Sequence, residues 1–286
     1  SIHAAGVVIS EKPLVEYAPI FITSNGELVC QYQMEDIDRS KLVKWDVLGL
    51  KTLTSIFETE RLIRKEERDF RVDKLPMDDE ETFKLLASGD VQGIFQLESS
   101  SGMAELIKKI NPQKIDDVLV VIALYRPGPL NSGLADQYIE NKSRWQKGEA
   151  EDIKNEIPFE LGDILDDAYG TMIYQEHIML IAQKLAGFSL AEADNLRKAV
   201  AKKKSSILRD MKKDFIRRCV ENGNRKADVN NLWEQIEKFA EYAFNKSHAA
   251  AYAYLTYWTA YLKQHYPVIY YASLINNEIF DKRKTY

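Results

Sequence analysis

"KLVKWDVLGLKTL", residues 41–53, is where two patterns meet. Up to Leu48, apolar residues alternate with Lys44 and Asp46, the period-two pattern of a strand. Beyond Gly49 the apolar positions Leu53, Ile56, Phe57 and Leu62 take helical spacing. The stretch therefore divides the chain into a β-rich head, residues 1–50, and a helical remainder, residues 51–286. The strand itself reads as an ordinary buried one, with Val43, Trp45 and Val47 on one face and Lys44 and Asp46 on the other. A carboxylate beside an ammonium on a core strand has two readings. One is a structural ion pair or a half-solvated face. The other is a metal or phosphate site at the strand end, next to the break at Gly49.

Toward the N-terminus, "GVVIS" (6–10), "PIFIT" (19–23) and "LVCQYQM" (28–34) are short β-branched and aromatic runs. "SNGE" (24–27) carries Asn25-Gly26, a hairpin signal, and residues 42–48 are expected to complete one small mixed sheet. Asp36-Ile37-Asp38 reads as a polar connector. Toward the C-terminus the pattern is helical. Expected helices run over 51–66, 75–90 with an acidic first turn, 98–112 with serine caps, and 112–125 ended by "RPGP" (126–129). Further ones run over 170–187, closed by Gly187, and from "SLAE" (189–192), a capping box. The next carries Ile207, Leu208, Met211, Phe215 and Cys219 on one stripe and ends at Gly223. Residues 230–243 and 248–266 follow, and Pro267 opens a last helix. The fold class is α+β: a small sheet feeding a large helical domain.

The composition sets limits on function. In 286 residues, 45% hydrophobic and 29% charged content describes a globular chain. Four His and two Cys (Cys30, Cys219) leave neither metal-finger spacing nor a disulfide framework, which suits a reducing cytoplasm. The longest apolar run, Ala249–Leu262, has 14 residues, too few to span a bilayer. The chain opens on Ser, not Met, and reads as a segment cut from a longer chain or a processed product. Net charge is −5, yet residues 197–226 hold twelve Lys/Arg against three Asp/Glu. That basic segment on an acidic body implies a polyanion contacted in one place.

Several short motifs bear chemistry. Arg126 closes an apolar helix before a rigid turn, where it either caps carbonyls or seeks an anion. Arg197 and Lys198 sit two turns into the capped helix, followed by Lys202 to Lys204, which also read as a solvated corner. Lys246, Ser247 and His248 precede an apolar helix, where a His is commonly a cap or core-edge residue. "GIFQLESSSGM" (93–103) is a polar cluster behind two apolar residues. Tyr252, Tyr254, Tyr257, Trp258 and Tyr261 spread around their helix and read as packing. Anion-seeking groups on separate helices, with a carboxylate at a strand end, are the ingredients of phosphoryl transfer. A two-metal site needs more than one carboxylate, however, and no Asp-x-Asp lies on a strand in residues 1–50.

"LVKWDVLGLKTL", "GIFQLESSSGM", "ALYRPGPLNSG", "YGTMIYQEHIMLIAQKLAGFSLAEADNLRKAVAKKK" and "KFAEYAFNKSHAAAYAYLTYWTAYLKQHYP" occur in this order. They resemble the palm and fingers of the C-family bacterial replicative polymerases, the DNA polymerase III alpha subunits. The resemblance covers nearly the whole chain and is weakest around 55–80. It implies that Asp46 is the third catalytic carboxylate and metal ligand of a polymerase-beta-like palm, with Lys44 a basic residue at the same site. The other two carboxylates belong to an upstream Pro-Asp-x-Asp-x-Asp stretch that is not in this sequence. Arg197 and Lys198 match a basic pair that holds the incoming triphosphate. The family often has Arg at both, so Lys198 departs from it and loses the bidentate fork. Tyr242, Lys246, Ser247 and His248 match a fingers segment near the nucleotide, and Arg126 fits the family's "RPGP" turn.

The resemblance further implies two Mg²⁺ ions in the intact enzyme. It implies primer–template DNA, dNTPs and the upstream palm and thumb as partners, a sliding clamp reached through regions outside this sequence, and a cytoplasmic location. The competing reading is a helical module that grips nucleic acid without catalysis. A self-contained metal hydrolase is disfavoured by the lack of clustered ligands.

Overall fold

The computed structural model describes residues 3, 5–98, 100–201, 205–240 and 242–279. The chain forms two compact units, Ser1–Lys51 and Thr52–Tyr286.

In the first unit, β1 (Gly6–Ile9), β2 (Ile20–Ile22), β3 (Leu28–Cys30), α1 (Met34–Arg39) and β4 (Val43–Asp46) follow in order. The single mixed sheet expected from sequence is instead two antiparallel pairs. β1 pairs with β4, setting Val7 opposite Trp45 and Ile9 opposite Val43, and β2 pairs with β3. The β2–β3 hairpin turns at Asn25-Gly26, where Gly26 takes φ +82° and donates its N–H to the Thr23 carbonyl at 3.0 Å. The strand expected over 28–34 stops at Cys30, and the segment read as a connector is α1. Its reason is Ile37: one turn of helix carries that side chain inward against Ala18 and Leu42, the buried centre of this unit.

The buried reading of β4 is also corrected. Alternation assigns residues to two faces without saying which face meets water. Here Val8 packs toward the small core and shares its face with Lys44, while Val43 and Trp45 are 54% and 59% exposed and Val7 and Ile9, on the strand opposite, 51% and 50%.

The second unit is helical: α2 (Lys51–Ile63), α3 (Glu80–Ser88), α4 (Ser101–Ile110), α5 (Ile115–Leu124), α6 (Pro127–Asn131), α7 (Leu134–Gln146), α8 (Ala150–Glu156), α9 (Gln175–Ala186), α10 (Leu190–Ala201), α11 (Ser205–Glu221), α12 (Lys226–Ala240), α13 (Lys246–His265) and α14 (Pro267–Ile279). Local chemistry explains the boundaries. Asp79 accepts the Thr82 N–H at 2.8 Å to start α3, and Gly89 ends it in the left-handed region. Ser100 caps α4, and Ser189 with Glu192 forms the expected capping box before α10. The helix expected over 170–187 starts only at Gln175, because residues 173–174 are held extended by the segment around Phe244.

Two apolar clusters build this unit. One gathers Phe83, Leu86, Ile107, Val120 and Leu124 around α13, which presents buried Ala249, Ala253 and Ala260 for close approach. The other lies among α9–α12 and includes Ile181, Leu196, Phe215, Cys219 and Trp233. The expected stripe of α11 holds for Phe215 and Cys219, both fully buried, with Leu208 and Met211 packed beside them. Inside the first cluster sits a closed polar network. Asp117 is 0% exposed and accepts from Lys142 Nζ and Tyr138 OH, each at 2.8 Å, and Lys142 also donates to the Ile110 and Asn111 carbonyls. Every proton and lone pair that matters is matched, which makes burial of the pair tolerable. No helix among the described residues is long and apolar enough to cross a membrane.

Candidate functional site

The start of α9 organises the helical unit's charged groups. Phe244 bridges Tyr174 in a parallel sense, accepting the Gln175 N–H at 2.8 Å and donating to the Ile173 carbonyl at 3.1 Å. Two neighbouring side chains then fasten the beginning of α13. Glu176 accepts the Lys246 N–H at 2.9 Å and the Asn245 amide at 3.0 Å, and Asn245 caps the helix by accepting the His248 N–H at 2.9 Å. Gln175 accepts from Arg197 Nη1 at 3.2 Å. Residues 175–176 therefore bring the α10 cation Arg197 and the α13 group Lys246, Ser247 and His248 to one place.

Each of these cations has a carboxylate partner. Arg197 directs Nε and Nη2 to Asp194 Oδ1 at 2.9 and 2.8 Å, and Lys198 reaches Asp194 Oδ2 at 2.7 Å. The Lys198 contact first, and Arg197 after it, hold the Asp194 carboxyl below the usual carboxylate range. Lys246 pairs with Asp167, whose other oxygen takes the His177 Nε2 proton at 3.0 Å. Burial alone would raise the Asp167 carboxyl; His177 and Lys246 outweigh it and hold it at about 2. The buried His177 ring accepts the Ile173 and Tyr174 N–H groups at Nδ1, at 3.2 and 3.3 Å, so its proton sits on Nε2.

Arg126 is placed behind this group. Its Nε donates to the Ala123 carbonyl at 3.0 Å, Nη2 donates to the Tyr242 carbonyl at 2.6 Å, and the guanidinium lies 4.7 Å from the Phe244 ring centre. It caps the end of α5, and burial lowers its pKa. The Tyr242 ring lies over Gly128 so closely that any side chain there would collide with it. Tyr242 also lines a cleft of about 580 Å³ shared with Leu134, Met172 and Phe239. His248 is exposed and its ring lies tilted beside those of Phe244 and Tyr252, at 5.6 and 4.3 Å, and Tyr252 stacks on Phe95 at 5.4 Å. "GIFQLE" is thereby tied to the site: Phe95 donates its N–H to Thr259 at 3.1 Å, and Tyr270 donates to the Gly93 carbonyl at 2.6 Å. Of the aromatic residues of α13, Tyr257 is packing, fully buried with its hydroxyl on the Pro76 carbonyl, whereas Tyr254 is 46% exposed. Lys202 to Lys204 lie outside the described residues.

In the β-rich unit, Lys44 and Asp46 form a direct ion pair, and the Lys44 hydrogen bond holds the Asp46 carboxyl below the usual range. Gly6, opposite Asp46 in the ladder, leaves room for both, since a Cβ there would lie 3.1 Å from Lys44 Cε. His3 approaches Asp46 at 3.7 Å. Asp46 is thus one carboxylate with an imidazole nearby. Among the described residues no three His, Cys, Asp or Glu side chains are grouped to hold a metal ion. These residues do not by themselves make a divalent-metal site.

The sequence reading missed Asp167, Glu176, His177 and Asp194. Only Asp194 had a local signal, lying three and four residues before the two cations on one helix.

The bacterial DNA polymerase III alpha subunit finger domain family matches residues 52–223, and the alpha NTPase domain family matches residues 1–49. DNA polymerase III subunit alpha of Aquifex aeolicus is 46% identical over 284 residues, covering 99% of this chain and 24% of that protein. The Thermus aquaticus subunit is 41% identical over 288 residues (99% and 23%), and that of Bacillus subtilis 41% over 287 (99% and 25%). The chain spans about a quarter of the length of these relatives. With the finger-domain family covering more than half of its length, this chain belongs to the bacterial DNA polymerase III alpha subunit family.

Proposed function

We propose that this chain is the part of a DNA-directed DNA polymerase that receives the incoming dNTP and supplies one palm carboxylate. In this reading residues 1–50 are the C-terminal part of the palm and residues 51–286 the fingers. The observation that carries it is the convergence of Arg197 and the Lys246–His248 group on Gln175 and Glu176. Separate helices deliver these groups to one locus, the geometry a triphosphate requires. Arg197, Lys198 and Lys246 would hold phosphates, with Ser247, His248 and Tyr242 beside the rest of the nucleotide. Arg126 would act from behind by fixing the Tyr242–Phe244 backbone. Asp46, with Lys44 beside it, would hold Mg²⁺ together with carboxylates from the remainder of a longer polymerase. The metal pair supplies charge stabilisation for nucleotidyl transfer when bound. Primer–template DNA, the remaining palm and thumb, and a sliding clamp bound elsewhere on the polymerase are the partners, in the cytoplasm.

The test is Arg197→Ala in the longer polymerase. One charge-assisted phosphate contact is worth roughly 1.5–3 kcal/mol. The apparent dNTP constant should therefore rise, or extension slow, by about one to two decades. Primer–template affinity measured without nucleotide should stay put. If DNA affinity collapses while nucleotide affinity holds, the chain grips nucleic acid without handling the substrate.

A further inference from the structure

The cations at this site are already neutralised. Asp194 uses both oxygens, Oδ1 for the Arg197 fork and Oδ2 for Lys198. Asp167 occupies Lys246. Simple stabilisation of the half-buried Lys246 accounts poorly for what stands behind Asp167. A buried imidazole, its tautomer fixed by two backbone N–H groups, pins one oxygen so that the carboxylate cannot swing away with its partner. An arriving anion must therefore draw Lys246 off a fixed carboxylate. On α10 it must share Arg197 and Lys198 with a carboxylate one turn away.

We propose that Asp194 and Asp167 are resident counter-ions that set a charge threshold at the triphosphate site, positioning its cations while weakening it for every phosphate ligand. The proposal rests on the reading that Arg197, Lys198 and Lys246 bind the triphosphate. The two carboxylates stand in for phosphate oxygens while the site is empty. An anion of larger total charge displaces them most readily, so a triphosphate is favoured over phosphates that carry less charge. The same carboxylates reclaim their cations when pyrophosphate leaves, which makes departure of that product easier.

A purely structural role and a masking role predict opposite signs. Asp194→Asn keeps the shape and an acceptor for Arg197 while removing the charge. In the full-length polymerase subunit on primed template, dATP and inorganic pyrophosphate are the probes. The substitution should lower both the apparent dATP constant and the pyrophosphate inhibition constant. The drop should be about three- to tenfold, the effect of one unit charge ~5 Å away in a water-like dielectric. Primer–template affinity should not change. Asp167→Asn should act in the same direction, and the effect of Asp194→Asn should shrink in an Arg197→Ala background. Constants that stay level or rise in Asp194→Asn overturn the proposal. Arg197→Ala alone separates the two levels. If it weakens dATP while Asp194→Asn does not tighten it, masking is wrong and the nucleotide site stands. If it leaves dATP affinity unchanged, both fall together.

Discussion

The β-rich unit turns apolar side chains outward, while the helical unit turns most of its own inward. Val7, Ile9, Val43 and Trp45 lie at the surface of the β1–β4 pair, and among the described residues only Ala18, Ile37 and Leu42 of this unit are buried. The helical unit buries Phe215, Trp233, Tyr138 and Tyr257 completely. Two-stranded pairs over so small a core are marginal structures in water, whereas two large clusters can hold a domain together alone. The contrast extends to charge. The helical unit arranges complete constellations, cation with counter-ion with anchor. In the β-rich unit Asp46 pairs with Lys44, with His3 at 3.7 Å, and among the described residues no three His, Cys, Asp or Glu side chains are grouped to hold a metal ion.

The sharpest way to break that comparison is Asp46→Asn in the longer polymerase. Turnover should fall by several powers of ten, each about 1.4 kcal/mol of barrier, while thermal stability holds. Turnover retained within about tenfold would make Asp46 structural. Next comes the buried pair. Lys142→Met strands Asp117 in the core and should cost about 3–5 kcal/mol in chemical denaturation. Phe215→Ala should cost a similar ~3–5 kcal/mol, whereas Trp45→Ala, at an exposed site, should stay within about 0.5 kcal/mol. Equal losses at Phe215 and Trp45 would erase the distinction between the units. Acid titration gives a further test. Asp167 is held at about 2, against an ordinary 3.8, so its contribution is complete above pH 3.8 and is lost as pH falls toward 2. That contribution, about 1–2 kcal/mol, should vanish from the pH–stability curve of Asp167→Asn.

Much of the helical unit was legible because its signals are local. Ser189 and Glu192, Gly187, Gly223 and Pro267 act within a turn of where they stand, and the helices start or stop beside them. The Asn25-Gly26 hairpin was legible for the same reason. What stayed hidden was non-local. Glu176 finds Lys246 across 70 residues and Asp167 finds it across 79, with no periodicity to announce either. The rigid turn expected at "RPGP" is instead the start of the short helix α6, with Pro127 at its first position, and residues 134–168 went unread because α7 and α8 are short or weakly patterned. Strand β4 was misjudged for a different reason: its two faces are plain in the sequence, and which of them is wet depends on the partner elements.

The parallel bridge between Tyr174 and Phe244 has a consequence for chain topology. The chain departs from this point at α9, builds the α10–α12 group with its own apolar cluster, and returns to within one hydrogen bond of where it left. Loop closure is settled at the bridge, so lengthening the excursion costs only a slowly growing entropy. Insertions at the α11–α12 turn, around Gly223, should thus leave the Lys246 end of the site where it is. In engineering terms the bridge is a clasp, and the turn beyond it is a place where a reporter domain could be carried without disturbing the groups that the clasp holds.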